Sequence, residues 1–238
     1  MKQLIFLFSV CFLISCQKEM ELVKANRTID STLVDHSPVY IFLETKGKDT
    51  LAEVNRKNTI GTTNWIFNVD KRLPLKIAIP EIIQLQERRE KAQFHKNEAA
   101  GNFYSYTDSV KKTLAFMPFK EVKYTYNSYY STIYVKENPD YHLHFQTFSV
   151  NFKPKNKVSV DGNEVEIGEL FSFLKDYTTF AGDGKRVLIY LNFDERITFN
   201  QYLSKVIELK ALENDMVTIS PIHFIYDKKN LPDCDCGM

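Results

Sequence analysis

The stretch Val187–Lys210, VLIYLNFDERITFNQYLSKVIELK, decides the fold. Val187 to Phe193 is a short run of β-branched and aromatic residues, as a buried strand requires. After Asp194 and Arg196 the pattern changes period: Phe199, Leu203, Val206 and Ile207 recur at i, i+4, i+7 and i+8, one face of a helix. Thr198 and Gln201 have capping-box spacing, so the helix is predicted to start there. The segment Asn64–Gln86, NWIFNVDKRLPLKIAIPEIIQLQ, repeats the pattern without a gap. Asp70 falls on Asp194, Asn68 on Asn192 and Arg72 on Arg196, while Leu75, Ile79, Ile82 and Ile83 fall on the four apolar helix positions. Pro74 stands where the second copy has Thr198, and Pro80 lies inside the pattern. Proline is easy only in a helix's first turn, so the first helix is predicted to start near Pro80. Such self-similarity points to duplication, against the competing reading of two ordinary strand–helix units that share a pattern. Duplication predicts that Asp70 and Asp194 occupy equivalent places, each just before a helix.

Working outward, the 238 residues suffice for one large or two small domains. Lys and Arg total 31 against 30 Asp and Glu, and the two signs are interspersed, which argues against a nucleic-acid surface. With 18 Phe and 13 Tyr but only 8 Gly, the chain reads as a strand-rich fold rather than a disordered one. The fold class expected is α+β, with small sheets, helices packed on one face, and two related subdomains.

The N-terminus carries an address. Lys2 precedes the apolar run Leu4–Ile14, which is too short to span a bilayer, since spanning takes about 20 residues. The run ends Leu13-Ile14-Ser15-Cys16, which resembles a bacterial lipobox. The resemblance implies that residues 1–15 are a lipoprotein signal peptide and that Cys16 is acylated (palmitate or a similar chain) and begins the mature protein. Each buried CH₂ of such chains contributes about 0.8 kcal/mol to anchoring. Gln17 is not the Asp that retains some lipoproteins at the inner membrane. Lys18-Glu19-Met20-Glu21 resembles a short surface-export signal. The expected location is the outer membrane, lipid-anchored, with the periplasmic and cell-surface sides both open.

Residues 16–36 lack strong periodicity and read as a tether. A first subdomain, 37–136, is expected to hold a Val39–Leu43 strand with Leu51–Val54 as hairpin partner, the Trp65–Val69 strand, the first helix, and a Tyr-rich hairpin. In that hairpin Lys123–Tyr126 and Tyr129–Tyr134 would flank Asn127-Ser128. A second subdomain, 137–227, is expected to begin with a Tyr141–Phe152 strand. Lys157–Val160 and Glu164–Ile167 then flank Asp161-Gly162, a hairpin signal because type I′ turns need positive φ. A helix over Glu169–Tyr177, the Val187–Lys210 unit, a closing strand at Met216–Ser220 and an edge at Ile222–Tyr226 complete it. Residues 228–238 form a cysteine-containing tail.

The order hairpin, helix, strand with Asp, helix, strand over Lys157–Ser220 resembles the periplasmic domain of the ExbD/TolR biopolymer-transport family. Val158-Ser159-Val160-Asp161-Gly162, the helix through Leu170 and Leu174, Val187–Tyr190 with Asp194, and Phe199, Tyr202, Val206 and Ile207 carry the likeness. It implies an envelope interaction module that contacts another envelope protein or the cell wall. That family's membrane-spanning helix with its acidic residue has no counterpart after Cys16, so proton coupling does not transfer.

Candidate chemistry is sparse. His142 and His144 would share one face of a strand and are weak metal candidates, as are Cys234 and Cys236 in the tail. Ordinary strand histidines and a tail without a role are the bland readings. Asp70 and Asp194 at strand ends are weak binding candidates that more often cap a helix or pair locally. Tyr126 and Tyr130 are weak sugar-stacking candidates, though tyrosine also simply suits a pleated sheet. No catalytic site, metal or cofactor is assigned. The sequence therefore favours a non-catalytic envelope interaction or scaffolding protein linked to an ExbD/TolR-type system. Its alternatives are a carbohydrate- or peptidoglycan-binding lipoprotein, which needs exposed coplanar tyrosines, and an envelope hydrolase, which needs a histidine meeting a carboxylate in a pocket.

Overall fold

The computed structural model describes residues 19–91, 97–127 and 130–231. It contains two mixed six-stranded sheets with helices packed against them, an α+β architecture in two related parts. The first sheet is built from β1 (Lys24–Ala25), β2 (His36–Lys46), β3 (Asp49–Asn55), β4 (Asn64–Val69), β5 (Asn102–Asp108) and β6 (Thr113–Pro118). Helix α1 spans Leu75–Glu90. The second sheet holds β7 (Lys123–Asn127), β8 (Phe145–Lys153), β9 (Lys157–Val160), β10 (Asn163–Val165), β11 (Arg186–Asp194) and β12 (Val217–Tyr226). Its helices are α2 (Ser131–Glu137), α3 (Pro139–His142), α4 (Leu170–Ala181) and α5 (Phe199–Leu209).

The internal repeat is visible in the topology. In the first sheet β3 and β2 pair antiparallel, β2 runs parallel to β4, and β4 parallel to β5. In the second, β9 and β8 pair antiparallel, β8 runs parallel to β11, and β11 parallel to β12. Helix α1 follows β4 as α5 follows β11, and Asp70 and Asp194 stand at the same point of each unit. Among the described residues the copies differ in four insertions, one of them β10, which extends the hairpin only in the second. Only the second has a helix, α4, between its hairpin and its central strand; Arg56–Thr63 replaces it in the first. Only the second has α2 and α3, which cover Leu188, Tyr190 and Phe224 on the sheet face away from the main core. Only the first has β6.

One apolar core joins the halves. Val39, Ile41, Phe67, Val69 and Tyr104 of the first sheet, Val150, Ile189, Leu191 and Phe193 of the second, and the buried faces of α1, α4 and α5 belong to a single cluster. Burying residues of this size stabilises by roughly 1.5–3 kcal/mol each before chain entropy is counted.

Local chemistry explains the elements that match expectation. β2 and β3 pair with Leu43 opposite Ala52. Thr198 and Gln201 form a complete capping box, with Thr198 Oγ1 accepting from the Gln201 amide and Gln201 Oε1 from the Thr198 amide. Asp161 and Gly162, at φ of 47° and 85°, make the two-residue turn between β9 and β10.

Five expectations need correction. Helix α1 begins at Leu75, with Pro80 inside it. Proline lacks the N–H that would bond the Lys76 carbonyl, and the Tyr126 hydroxyl stands 3.4 Å from that oxygen. The Tyr129–Tyr134 strand is replaced by helix α2, so the Tyr-rich hairpin does not form; β7 instead pairs parallel with β12, which moves Lys123–Asn127 into the second sheet. The Tyr141–Phe152 strand begins only at Phe145, after helix α3. Ile222–Tyr226 is no edge: with Val217–Ser220 it forms one strand between β11 and β7, and Pro221 falls at a register shift, where a missing N–H is tolerated. The expected tether is folded from about Glu21 onward. Val23 is fully buried, Lys24 pairs with Thr107, Asp30 bridges to Phe116, and Tyr106 donates to the Arg27 carbonyl.

Candidate functional site

The two strand-end aspartates lie on a seam between the halves. Residues 71–76 and 195–200 run antiparallel past each other and exchange four backbone hydrogen bonds. The Leu75 amide donates to the Ile197 carbonyl at 2.9 Å and the Phe199 amide to the Leu73 carbonyl at 2.7 Å. The Lys76 amide donates to the Glu195 carbonyl at 2.8 Å and the Asn200 amide to the Lys71 carbonyl at 3.0 Å. Each bond in a pair is the other under the repeat alignment, so the seam has approximate two-fold symmetry. Each N-terminal helix amide would otherwise lack a partner, and here the opposite copy supplies it.

Asp70 and Asp194 hold the two loops in shape. Asp70 Oδ1 accepts from the Arg72 amide and Nε at 3.0 and 2.9 Å, and Oδ2 accepts from Arg72 Nη2 at 2.6 Å. Asp194 makes the same three contacts with Arg196 at 2.9, 2.8 and 2.7 Å. Both carboxylates are buried while their arginines reach solvent. Burial opposes ionisation of Asp70, yet the Arg72 bonds overcome it and hold the carboxyl below its usual range. All acceptor capacity aimed at the loop is already used, and the arrangement is that of a paired loop brace rather than an open ligand site.

Beside the seam runs a buried chain of hydroxyls. Tyr104 and Tyr124 oxygens are 2.6 Å apart, Tyr124 and Tyr202 3.0 Å, and Tyr202 lies 2.8 Å from His223 Nδ1. Three hydroxyl protons suffice for three links that end on an accepting imidazole nitrogen. Tyr104 comes from the first sheet, Tyr124 and His223 from the second and Tyr202 from helix α5, so the chain links the halves through polar groups inside the core. Burial raises all three phenols well above their ordinary value, and burial, assisted by Lys210, lowers His223 to about 3. The imidazole is neutral. Residues so distant in sequence leave no local motif.

The other sequence candidates are not brought together. His142 is buried in α3, its Nδ1 2.6 Å from the Asn138 carbonyl and its Nε2 2.7 Å from the Tyr190 hydroxyl. His144 lies exposed beyond the helix, so the two do not share a strand face. Neither of His142's contacts is a carboxylate, contrary to what the hydrolase reading needs. Among the described residues no three potential metal ligands cluster. Cys16, Cys234 and Cys236 lie outside the described residues. Tyr126 is half-buried and donates to Glu195 Oε2 at 3.0 Å, and Tyr130 is buried edge-on against Tyr226. They form no exposed coplanar platform.

A cleft of about 1020 Å³ opens where the first copy lacks its α4 counterpart, between β3, Arg56–Gly61, the end of α1 and Lys120–Tyr124. Arg89 stands in its wall, 4.9 Å over the Trp65 ring, donating to the Thr63 and Gly101 carbonyls and to Asn102 Oδ1. Burial lowers its pKa from the ordinary arginine value. The lining mixes lysine and arginine with glutamate, which favours no single ligand charge.

Comparison with protein-family models, curated proteins and solved structures finds no match.

Proposed function

We propose that this chain is a lipid-anchored cell-envelope interaction or scaffolding protein, held at the outer membrane through Cys16 and acting without catalysis on another envelope protein or the cell wall. The observation that carries the reading is the order of the second half. The hairpin β9–β10, helix α4, strand β11, helix α5 and strand β12 come in the order on which the sequence resembles the ExbD/TolR periplasmic module, and this supports the reading. The strand-end Asp–Arg pairs serve the seam, consistent with a scaffold. Fold alone does not name the partner. Crosslinking in cells, followed by identification of what is captured, tests the reading. An envelope protein or cell-wall fragment is expected, and repeated recovery of neither overturns it. Labelling with a palmitate analogue, lost in Cys16→Ser, tests the anchor.

A second reading, a carbohydrate- or peptidoglycan-binding lipoprotein, is favoured only by the cleft beside α1, whose volume is at the upper end for small-ligand sites. Saccharide-dependent quenching of Trp65, the single tryptophan, would support it.

A further inference from the structure

We infer that the end of the second sheet nearest the anchor, carrying Lys153, Lys155, Lys157, Lys228 and Lys229, is a docking face for anionic lipid headgroups. This inference rests on the reading of Cys16 as the anchor. Three observations place and charge the face.

The first is chain length. The fold takes hold of the chain at Glu19–Glu21, where the Lys71 amide donates to the Glu21 carbonyl and Glu21 pairs with Lys71 and Arg72. Two residues, Gln17 and Lys18, separate Cys16 from Glu19, a span of at most about 11 Å. The body therefore lies against the bilayer rather than hanging from a long tether.

The second is proximity. Lys71 accepts from the Asn200 amide, and the neighbouring Gln201 side chain donates to Asn156 in the β8–β9 turn at 2.8 Å. Glu195 receives the Lys76 amide and donates its own amide to Tyr226, just before Lys228. The turn and the Lys228–Asn230 segment thus flank the point where the chain enters.

The third is uncompensated charge. Lys153 and Lys157 stand directly opposite each other in the β8–β9 ladder, and like charges so placed are destabilising. Lys155 between them has a φ of 62°, which a lysine rarely adopts. None of the five lysines has a carboxylate within ion-pair distance among the described residues. Of the acids at this end, Glu21, Asp70 and Asp194 are paired with Lys71, Arg72 and Arg196 and Glu19 faces Arg72, so only Glu195 and Asp227, bonded to the neutral Tyr126 hydroxyl and Lys229 amide, set negative charge against the five lysines. A hairpin that tolerates three crowded cations beside a membrane anchor fits a phosphate-bearing surface, where each lysine strengthens binding about fivefold.

The test uses the mature chain with Cys16→Ser, so that no acyl chain contributes, in co-sedimentation with vesicles of phosphatidylcholine alone or rich in phosphatidylglycerol. Binding to the phosphatidylglycerol vesicles is expected, weakened by salt and by K155E/K157E about 25-fold or more. The double variant K175E/K185E makes the same charge change on exposed residues toward the opposite end of the second sheet, and is expected to bind like the parent. Thermal unfolding of both variants controls for folding. Equal losses in the two doubles, or equal binding to both vesicle types, overturn the inference. Acylation of Cys16 is read separately by palmitate labelling, so loss of labelling with retained vesicle binding sinks the anchor and not the face.

Discussion

If the seam is a two-fold brace, Asp70 and Asp194 do the same work and their loss should register the same way. Consider Asp194→Asn. The amide keeps the shape and can still accept from the Arg196 N–H, but the charge that strengthens the two guanidinium bonds of 2.8 and 2.7 Å is gone. Hydrogen bonds to charged groups contribute about 1.5–3 kcal/mol. The Arg196 side chain is 59% exposed, so water rehydrates the released guanidinium and the cost falls at the low end, about 2 kcal/mol. Asp70→Asn should cost about the same, within roughly 1 kcal/mol, because Arg72 is similarly exposed at 42%. In a chain of this size that is a fall in Tm of about 4–8 °C. The double variant should cost less than the sum, because once one loop loosens the shared backbone bonds weaken; coupling between such neighbours is at least about 0.5 kcal/mol. Urea unfolding of the four proteins, followed by far-UV circular dichroism, measures all of this. Strict additivity, or a large cost at one aspartate and none at the other, would refute the two-fold brace.

Other outcomes are expected from the core. His223 is held neutral by burial, its pKa about 3 against about 6.5 unfolded, so its stability contribution is complete above about pH 6.5 and is lost as pH falls toward 3, by up to about 1.4 kcal/mol per unit. His223→Gln should flatten that slope in pH-dependent denaturant melts. Burial raises the Asp161 carboxyl despite the donating Ser149 amide and Tyr177, so its charge weighs against folding above the raised value and not below about pH 4. Asp161→Asn, which tolerates the positive φ, should stabilise at neutral pH and lose that advantage in acid, as parallel thermal melts will show. Thr198→Ala removes the cap of α5 and should cost about 1 kcal/mol by urea titration.

What could be read from the sequence was whatever rests on local chemistry. The period change at Asp194, the Thr198–Gln201 box and the Asp161-Gly162 turn are encoded within a few residues, and the matched Asp and Arg positions located the seam's braces. The parts that escaped depend on distant partners. Ser131–Glu137 has strand-like composition, yet Tyr134 and Val135 pack on Leu188, Tyr190 and Phe224, and that packing overrides propensity. Residues Glu21–Asp30 look like a linker because main-chain pairing to Lys71, Thr107 and Phe116 fixes them. The seam itself is backbone to backbone, and Tyr104, Tyr124, Tyr202 and His223 are scattered over more than half the chain. His142 and His144 do not share a face because a single helical turn, α3, breaks the alternation that a strand would give.

The strand pairing also has a consequence for biosynthesis. Each sheet draws one member from chain that precedes the body of its repeat: β1 pairs Lys24 with Thr107, and β7 pairs Lys123 with Ile222. A polypeptide emerges N-terminus first. Residues near 24 must therefore wait for most of the first repeat, and β7 must wait for the last strand. Neither sheet can be completed vectorially, and an early strand stays exposed for nearly the whole synthesis of its repeat. Open edges are sites of mispairing between chains. Lys24 and Lys123, both exposed, place a charge at the start of each waiting strand, which discourages such pairing until the late partner arrives.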